Sequence, residues 1–139
     1  KEYPEAIADY RRAVQLDMND PKLKTYLALA LRDGGKYYGE SKGDLPNAFK
    51  CFEESWQLNP KDPETARLMG VGFGISGNHA EAIKWFTKAV EVAPNEAGFI
   101  WDLGLAYSAS GNLAKAEELR KKAMEIDPTI AEKRSKPGR

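Results

Sequence analysis

The sequence has only one cysteine, Cys51, and only one histidine, His79, among its 139 residues. A single cysteine excludes an intramolecular disulfide and a multi-cysteine zinc site, and one histidine makes neither a catalytic triad nor a histidine-rich metal site. Cys51 is therefore expected to be a structural thiol, and His79 a packing or capping residue at the start of a helix. We predict no catalytic residue, no metal site and no cofactor, and we expect the chain not to be an enzyme.

Long apolar runs and an excess of one charge are also missing. No segment approaches the roughly eighteen consecutive apolar residues of a membrane span. The formal net charge is zero, and the basic residues concentrate in the tail at 129–139. The rest of the chain therefore offers no basic surface for nucleic acid. We expect a soluble protein, with the cytoplasm slightly favoured, and no nucleic-acid partner.

Residues 63–94 contain the signals of one helix–turn–helix unit. Asp62 is a good N-cap, and Pro63 suits the first helical position, where its missing N–H removes no hydrogen bond. Gly77 followed by Asn78 predicts the end of this helix and the cap of the next one. Pro94 ends the second helix. Two antiparallel helices are predicted.

Copies of this unit recur along the chain with a period of 34 residues. The recurring positions are Gly70, Phe73, Gly77, Ala82, Phe86, Ala89 and Pro94, matched by Gly104, Tyr107, Gly111, Ala116, Arg120, Ala123 and Pro128. The second-helix signature returns upstream as Ala48, Phe52, Ser55 and Pro60, and as Ala6, Tyr10 and Ala13. Small residues at such positions let helices approach closely, and Ala28 is assigned to the place that Gly70 and Gly104 occupy.

This pattern resembles the tetratricopeptide repeat family. The resemblance implies an all-α fold, a right-handed α-solenoid of antiparallel helix pairs, with about three and a half repeats in a single array over residues 1–139. The segments are 1–18, the second helix of an incomplete repeat; 21–60, a repeat with an insertion; 63–94 and 97–128, two regular repeats; and 129–139, a basic tail that is partly disordered. Because the chain starts within a repeat, we expect a fragment of a longer array or a chain whose earlier residues were removed.

The repeat at 21–60 carries an eight-residue insertion near 35–43. This segment is polar and contains several glycines, so a longer loop with an added helical turn is expected between the two helices. Tyr37 and Tyr38 make it a candidate binding loop. The alternative is a tolerated insertion whose tyrosines cover neighbouring apolar surface, since loop insertions cost little closure entropy.

The resemblance also implies a concave groove lined by the first helix of each pair. Its positions fall on Thr25, Leu29, Arg32, Arg67, Val71, Ile75, Trp101, Leu105 and Ser108. Trp101 is expected to be partly exposed and to anchor a partner, while Arg32 and Arg67 would meet acidic groups. The alternative is that Leu29, Val71 and Leu105 only pack between neighbouring helices.

Some members of the family grip a C-terminal carboxylate with lysine, asparagine and arginine side chains on the groove helices. In this sequence the matching positions hold Thr25, Leu29, Leu68, Gly98 and Asp102. None of these supplies a cation, so a carboxylate clamp for a chaperone tail is not expected.

The predicted function is a non-catalytic protein–protein interaction scaffold that binds a peptide or helix of an unknown partner in the groove. One alternative is a docking or regulatory arm of a larger enzyme. Another is self-assembly through an exposed N-terminal edge around Tyr3, Ile7 and Tyr10.

Overall fold

The computed structural model describes residues 2–136, and within this range the secondary structure is eight α-helices with no strand. The helices are α1 Glu2–Leu16, α2 Pro21–Lys42, α3 Leu45–Leu58, α4 Pro63–Ile75, α5 His79–Val92, α6 Ala97–Ala109, α7 Leu113–Ile126 and α8 Ile130–Ser135. They divide into an N-terminal unit, Lys1–Leu68, and a C-terminal unit, Met69–Arg139. The all-α class is confirmed, and the arrangement of all repeats in a single array stays a prediction.

Local signals set the helix boundaries. Four helices begin after a residue whose side chain accepts a hydrogen bond from a backbone N–H of the first turn: Asp20, Asp44, Asn78 and Asn112. Asp62 does the same for α4, accepting from the N–H of Glu64 at 3.0 Å. Gly77 adopts a φ of 78°, in the left-handed region that glycine enters without steric cost. The predicted cap at Asn78 and turn at Gly77 are confirmed.

In the N-terminal unit, α2 lies between α1 and α3 and packs against both. Ile7, Leu27 and Leu31 form its apolar core. A buried hydroxyl lies beside this core, because Ser55 stands where the regular repeats have alanine. Its Oγ donates to the carbonyl of Ala28 at 2.7 Å, which compensates the loss of water around a buried polar group.

The predicted insertion loop at 35–43 is wrong, because α2 continues through it as helix to Lys42 and is closed by Gly43 in the left-handed conformation. Gly35 lies inside the helix, and a Cβ there would stand 2.6 Å from the ring of Phe52. Gly70 has the same relation to Phe86. Gly35, not Ala28, therefore occupies the place of the close-contact glycine in this repeat.

The periodicity of the α-helix explains why the sequence placed the contact at Ala28. Ala28 and Gly35 are seven residues apart, which is close to two turns of an α-helix, so both lie on nearly the same face and the apolar pattern cannot separate them. The extra length therefore precedes the contact glycine instead of following it. Gly34 and Gly35 mark close contacts and not breaks, since a Cβ at Gly34 would lie 3.0 Å from Ile7, and only Gly43 ends the helix.

In the C-terminal unit, α6 packs against α5, α7 and α8. Ile100, on α6, is fully buried among Phe86 of α5, Leu119 of α7 and other residues of one apolar cluster. A helix apolar around most of its circumference is expected at such a central place. The small α5 and α7 residues Ala82, Ala89, Ala116 and Ala123 are also buried, as close helix crossings require.

Part of the predicted tail is ordered. Ile130 is buried and Ala131 packs beside it on the apolar cluster of the C-terminal unit, so the chain folds back through α8. Lys133 donates from Nζ to Asp127 at 2.7 Å and fastens the start of this short helix. The predicted disorder at the end of the tail concerns residues 137–139, which lie outside the described residues.

Candidate functional site

The first-helix residues of the N-terminal unit do not form an apolar binding surface. Thr25 and Leu29 are exposed on α2, and Arg32 is half-buried. Because Gly35 is the contact glycine, the groove positions assigned by resemblance move two turns along the same face of α2. They fall on Arg32, Lys36 and Gly39 instead of Thr25, Leu29 and Arg32.

The two arginines predicted to receive acidic groups are already bound to carboxylates of their own chain. Arg32 donates to Asp62 and to Asp33, each at 3.1 Å. Burial by itself would lower the pKa of Arg32, but the hydrogen bond to Asp33 and the charge of Asp62 outweigh it and raise this pKa. Arg67 donates to both carboxylate oxygens of Glu64, at 2.6 and 2.9 Å. An acidic partner would have to displace these carboxylates.

Tyr37 and Tyr38 are helical and half-buried rather than parts of a loop. The ring of Tyr37 lies 5.5 Å from that of Tyr3 on α1, and the ammonium of Lys42 lies 5.7 Å from the Tyr37 centroid. Tyr37 therefore covers part of the neighbouring helix α1. This agrees with the alternative interpretation, in which the tyrosines of the insertion cover neighbouring surface. A binding role for the two tyrosines stays a prediction.

The N-terminal edge predicted to be exposed is largely packed. Ile7 is buried in the core of its unit. The Tyr3 ring contacts Tyr37, and the Tyr10 ring lies 6.0 Å from that of Tyr26. The long α2 explains the difference, since it offers α1 a surface from Tyr26 to Tyr37.

In the C-terminal unit, three of the predicted groove residues come together around an open apolar pocket of about 340 Å³. Val71 and Ile75 are one turn apart on α4, and Leu105 faces the pocket from α6. Ile75 is 70% exposed and Leu105 50% exposed, although both are aliphatic. The full lining is Gly70, Val71, Gly74, Ile75, His79, Ala82, Phe86, Asp102, Leu105, Ala106 and Ala109.

Small residues create the space for this pocket. Gly70 and Gly74 on α4 have no side chain, and Ala106 and Ala109 on α6 have only a methyl group. Their spacing of four residues on α4 and three on α6 could have marked them in the sequence, since residues three or four apart share a helix face. His79 could not be found this way, because it reaches the pocket from the start of another helix, α5.

The expectation that Trp101 is a partly exposed anchor is wrong. Its side chain is only 7% exposed and belongs to the apolar cluster of the C-terminal unit. The guanidinium of Arg120 on α7 lies 5.2 Å from the Trp101 ring centroid. Arg120 thus covers the Trp101 ring. It occupies the repeat position that Phe86 has in the preceding repeat, where the phenylalanine packs on Gly70. Ser108, the remaining predicted residue, is exposed and does not line the pocket.

Arg134 of α8 lies on the same face of α6 as the pocket edge. It donates from Nη2 to Asp102 at 2.9 Å. Its guanidinium rests on Gly98, where any added methyl group would overlap it. Sequence reasoning noticed Gly98 and Asp102 only as positions that lack a clamp cation, and it missed that the tail supplies a cation to them.

The surroundings of Cys51 disfavour a reactive thiol. Cys51 is half-buried, and burial, followed by the negative charge of Glu54, raises the pKa of its thiol and disfavours the reactive thiolate. Among residues 2–136 no group of three or more histidine, cysteine, aspartate or glutamate side chains is placed to hold a metal ion. Within the same range, none of the helices has the length and apolar character needed to span a lipid bilayer.

A family profile described as tetratricopeptide repeat matches residues 74–96 and 97–130. These segments contain the end of α4 with α5, and α6 with α7 and the start of α8.

Residues 74–130 of this chain are tetratricopeptide repeats.

Solved tetratricopeptide structures have the same fold. The first tetratricopeptide domain of Spaghetti (RPAP3), bound to the HSP90 peptide SRMEEVD, has a TM-score of 0.69 and 18% identity, covering 78% of this chain and 94% of that one. The N-terminal domain of stress-induced protein-1 from C. elegans has a TM-score of 0.69 and 21% identity, covering 79% and 93%. MamA has a TM-score of 0.65 and 22% identity, covering 94% and 67%. At these identities the likeness establishes the fold.

No curated protein sequence matches this tetratricopeptide protein significantly. The tetratricopeptide fold is typical of protein-interaction scaffolds, and it implies protein or peptide partners.

Proposed function

We propose that this tetratricopeptide protein is a non-catalytic interaction scaffold whose C-terminal unit binds a segment of a partner by taking an apolar side chain into the pocket. The observation that carries the proposal is the exposure of Ile75 and Leu105 on two helices that face one pocket. Burying such aliphatic surface is favourable by about 25 cal/mol per Å². A partner's apolar side chain would supply this burial.

The size of the pocket fits a peptide anchor. Its volume of about 340 Å³ lies at the lower end of the range of about 300–1,000 Å³ seen for small-molecule sites. It is also open to solvent along one side, as an extended chain or helix requires. One or two side chains of a partner segment would fill it.

The partner differs from an acidic chaperone tail. The Spaghetti domain is a peptide-bound neighbour of the same fold, which supports peptide binding as a use of this architecture. With the corrected register, the α2 positions that match the clamp hold Arg32 and Lys36, but Arg32 is bound to Asp62 and Arg67 to Glu64. The matching positions of α4 and α6, Leu68, Gly98 and Asp102, have no cation. An apolar anchor, and not a carboxylate, is therefore the main contact that we propose.

Peptide selection tests this proposal. A random peptide library displayed on phage is selected on the wild-type protein, and the affinities of the selected peptides are measured by calorimetry. Leu105→Asp should weaken binding by about 2 kcal/mol or more, as at the centre of an interface, because it places a charge in the apolar pocket.

Leu113→Asp is the matched control, since Leu113 is an exposed leucine on α7 that does not line the pocket. It should leave the affinity unchanged. Equal binding by both variants would refute the pocket as the site. A concentration-dependent dimer that Leu105→Asp abolishes would instead make a second copy of the chain the occupant.

A further inference from the structure

The edge of the pocket carries a carboxylate that already holds a cation. Asp102 lines the pocket together with apolar residues and His79. Its side chain is largely buried, and its Oδ2 accepts a hydrogen bond from Arg134 at 2.9 Å. A negative charge beside an apolar wall attracts a cation more strongly than it would in water, because the local dielectric constant is lower.

Arg134 reaches Asp102 across Gly98. The missing side chain at Gly98 lets the guanidinium lie directly on the α6 backbone. The pocket continues on the same helix one turn beyond Asp102, at Leu105 and Ala106. A segment lying along α6 with an apolar residue in the pocket would therefore bring its next residues to the place that Arg134 occupies.

We propose that Asp102 selects a lysine or arginine next to the apolar residue of the bound segment, and that Arg134 occupies this subsite as an intramolecular competitor when no partner is bound. The inference rests on the proposed function of the pocket. It assigns the partner a definite chemistry, a segment with an apolar residue and a basic residue close together. It also makes α8 a regulator of access to one part of the site.

The competitor can leave without unfolding the tail. Arg134 is about one-third exposed, so water or another cation can reach its bond to Asp102 and replace the guanidinium there. The helix α8 is held by other contacts, namely the burial of Ile130 and the bond from Lys133 to Asp127. A partner's cation can thus replace the Arg134 side chain while α8 stays in place.

The test uses the peptide selection described above, on the full chain and at about 0.15 M salt, where surface charges are partly screened. The variants are Arg134→Gln, which removes the competing charge, and Asp102→Asn, which removes the selecting charge. Lys136→Gln is the control, because it removes an equal charge from the tail at a residue that pairs with Glu132. Circular dichroism establishes that each variant has kept its helices.

Wild-type selection should enrich peptides with a lysine or arginine next to an apolar residue. Arg134→Gln should bind these peptides about two- to fivefold more tightly, since it removes the cation that competes with them for Asp102. Asp102→Asn should bind the basic peptides about tenfold or more weakly, as expected for loss of a charge-assisted hydrogen bond. Its affinity for neutral peptides should equal that of the wild type. Lys136→Gln should match the wild type.

Two results would overturn the inference while leaving the pocket intact. The first is a set of peptides that depends on Leu105 but shows no enrichment of basic residues. The second is an equal gain for Arg134→Gln and Lys136→Gln, which would reduce the effect to net charge. If Leu105→Asp left the affinity of the selected peptides unchanged, the proposed function itself would be refuted.

Discussion

The two units share the same helix-pair pattern but present different first-helix surfaces. In the N-terminal unit, Arg32 and Arg67 lie against Asp62 and Glu64, so the charges of that surface are satisfied within the chain. In the C-terminal unit, Ile75 and Leu105 stay exposed around an apolar pocket. The difference shows that a repeat pattern fixes how helices pack, while the residues left over from packing decide whether a surface can bind.

The units also differ in how they place the same contact. Gly35 lies two helical turns further from the start of its helix than Gly70 does from the start of α4, yet each meets a second-helix phenylalanine. The third glycine of this kind, Gly104, faces Leu119 and Arg120 at ordinary contact distances of 3.4 and 3.6 Å. One position of the repeat therefore has two different steric environments, a tight one at Gly35 and Gly70 and an ordinary one at Gly104.

The largest expected effect separates the cores of the two units. Trp101→Ala should lower the free energy of unfolding by about 3–5 kcal/mol, because it removes a buried aromatic side chain from the C-terminal unit. Trp56→Ala is the counterpart in the N-terminal unit, and it should cost less because Trp56 is only half-buried. Urea unfolding followed by circular dichroism measures both. A smaller loss for Trp101→Ala than for Trp56→Ala would contradict the core assignment.

A medium effect is expected at the contact glycines. Gly35→Ala and Gly70→Ala should each destabilise by about 1–3 kcal/mol, since the new Cβ would stand 2.6 Å from Phe52 or 2.9 Å from Phe86. Gly104→Ala should be neutral or stabilising by up to about 1 kcal/mol, because alanine favours the helix and its Cβ has room. Thermal unfolding of the three variants provides the measurement.

The result at Gly35 also tests the register of α2. If Gly35 were the turn between two helices, as the sequence suggested, it would not face a ring and a small side chain would fit. If Gly35→Ala left the stability unchanged while Ala28→Leu lowered it, Ala28 and not Gly35 would be the residue at the close helix contact.

The smallest expected effect is a loss of stability at acidic pH in the tail of the C-terminal unit. A hydrogen bond from Lys133, with two more from Thr129, lowers the pKa of Asp127 to about 2. A carboxyl whose pKa is lower in the folded state stabilises that state above its unfolded pKa, near 3.9. This contribution should be lost as the pH falls from about 4 to about 2.

Methyl NMR signals give the readout for each unit separately. The signal of Ile130, which packs α8 on its unit, should shift over this pH range, and that of Leu31 in the other core should not follow it. Asp127→Asn should abolish the pH-dependent shift of the Ile130 signal. If the shift persisted in Asp127→Asn, a carboxylate other than Asp127 would be its cause.

Much of the fold could be predicted because its signals are local. Proline at a helix start, asparagine or aspartate at a cap and glycine in the left-handed region act through their own backbone and the next turn. For this reason Asn78 and Gly77 were identified correctly from the sequence. The family resemblance also placed Val71, Ile75 and Leu105 on one surface, because it fixes which face of a first helix points away from its partner helix, and their role in binding stays a prediction.

The sequence by itself therefore determined that the chain forms repeated helix pairs, with their caps, turns and small-residue crossings. Only the tertiary structure decided the register of α2, since a shift of seven residues is nearly two whole turns and leaves the apolar face almost unchanged. Only the tertiary structure could show that Arg120 and the apolar cluster bury Trp101, and that Arg134 reaches Asp102 across Gly98. These contacts join residues distant in sequence, where no local rule of spacing acts.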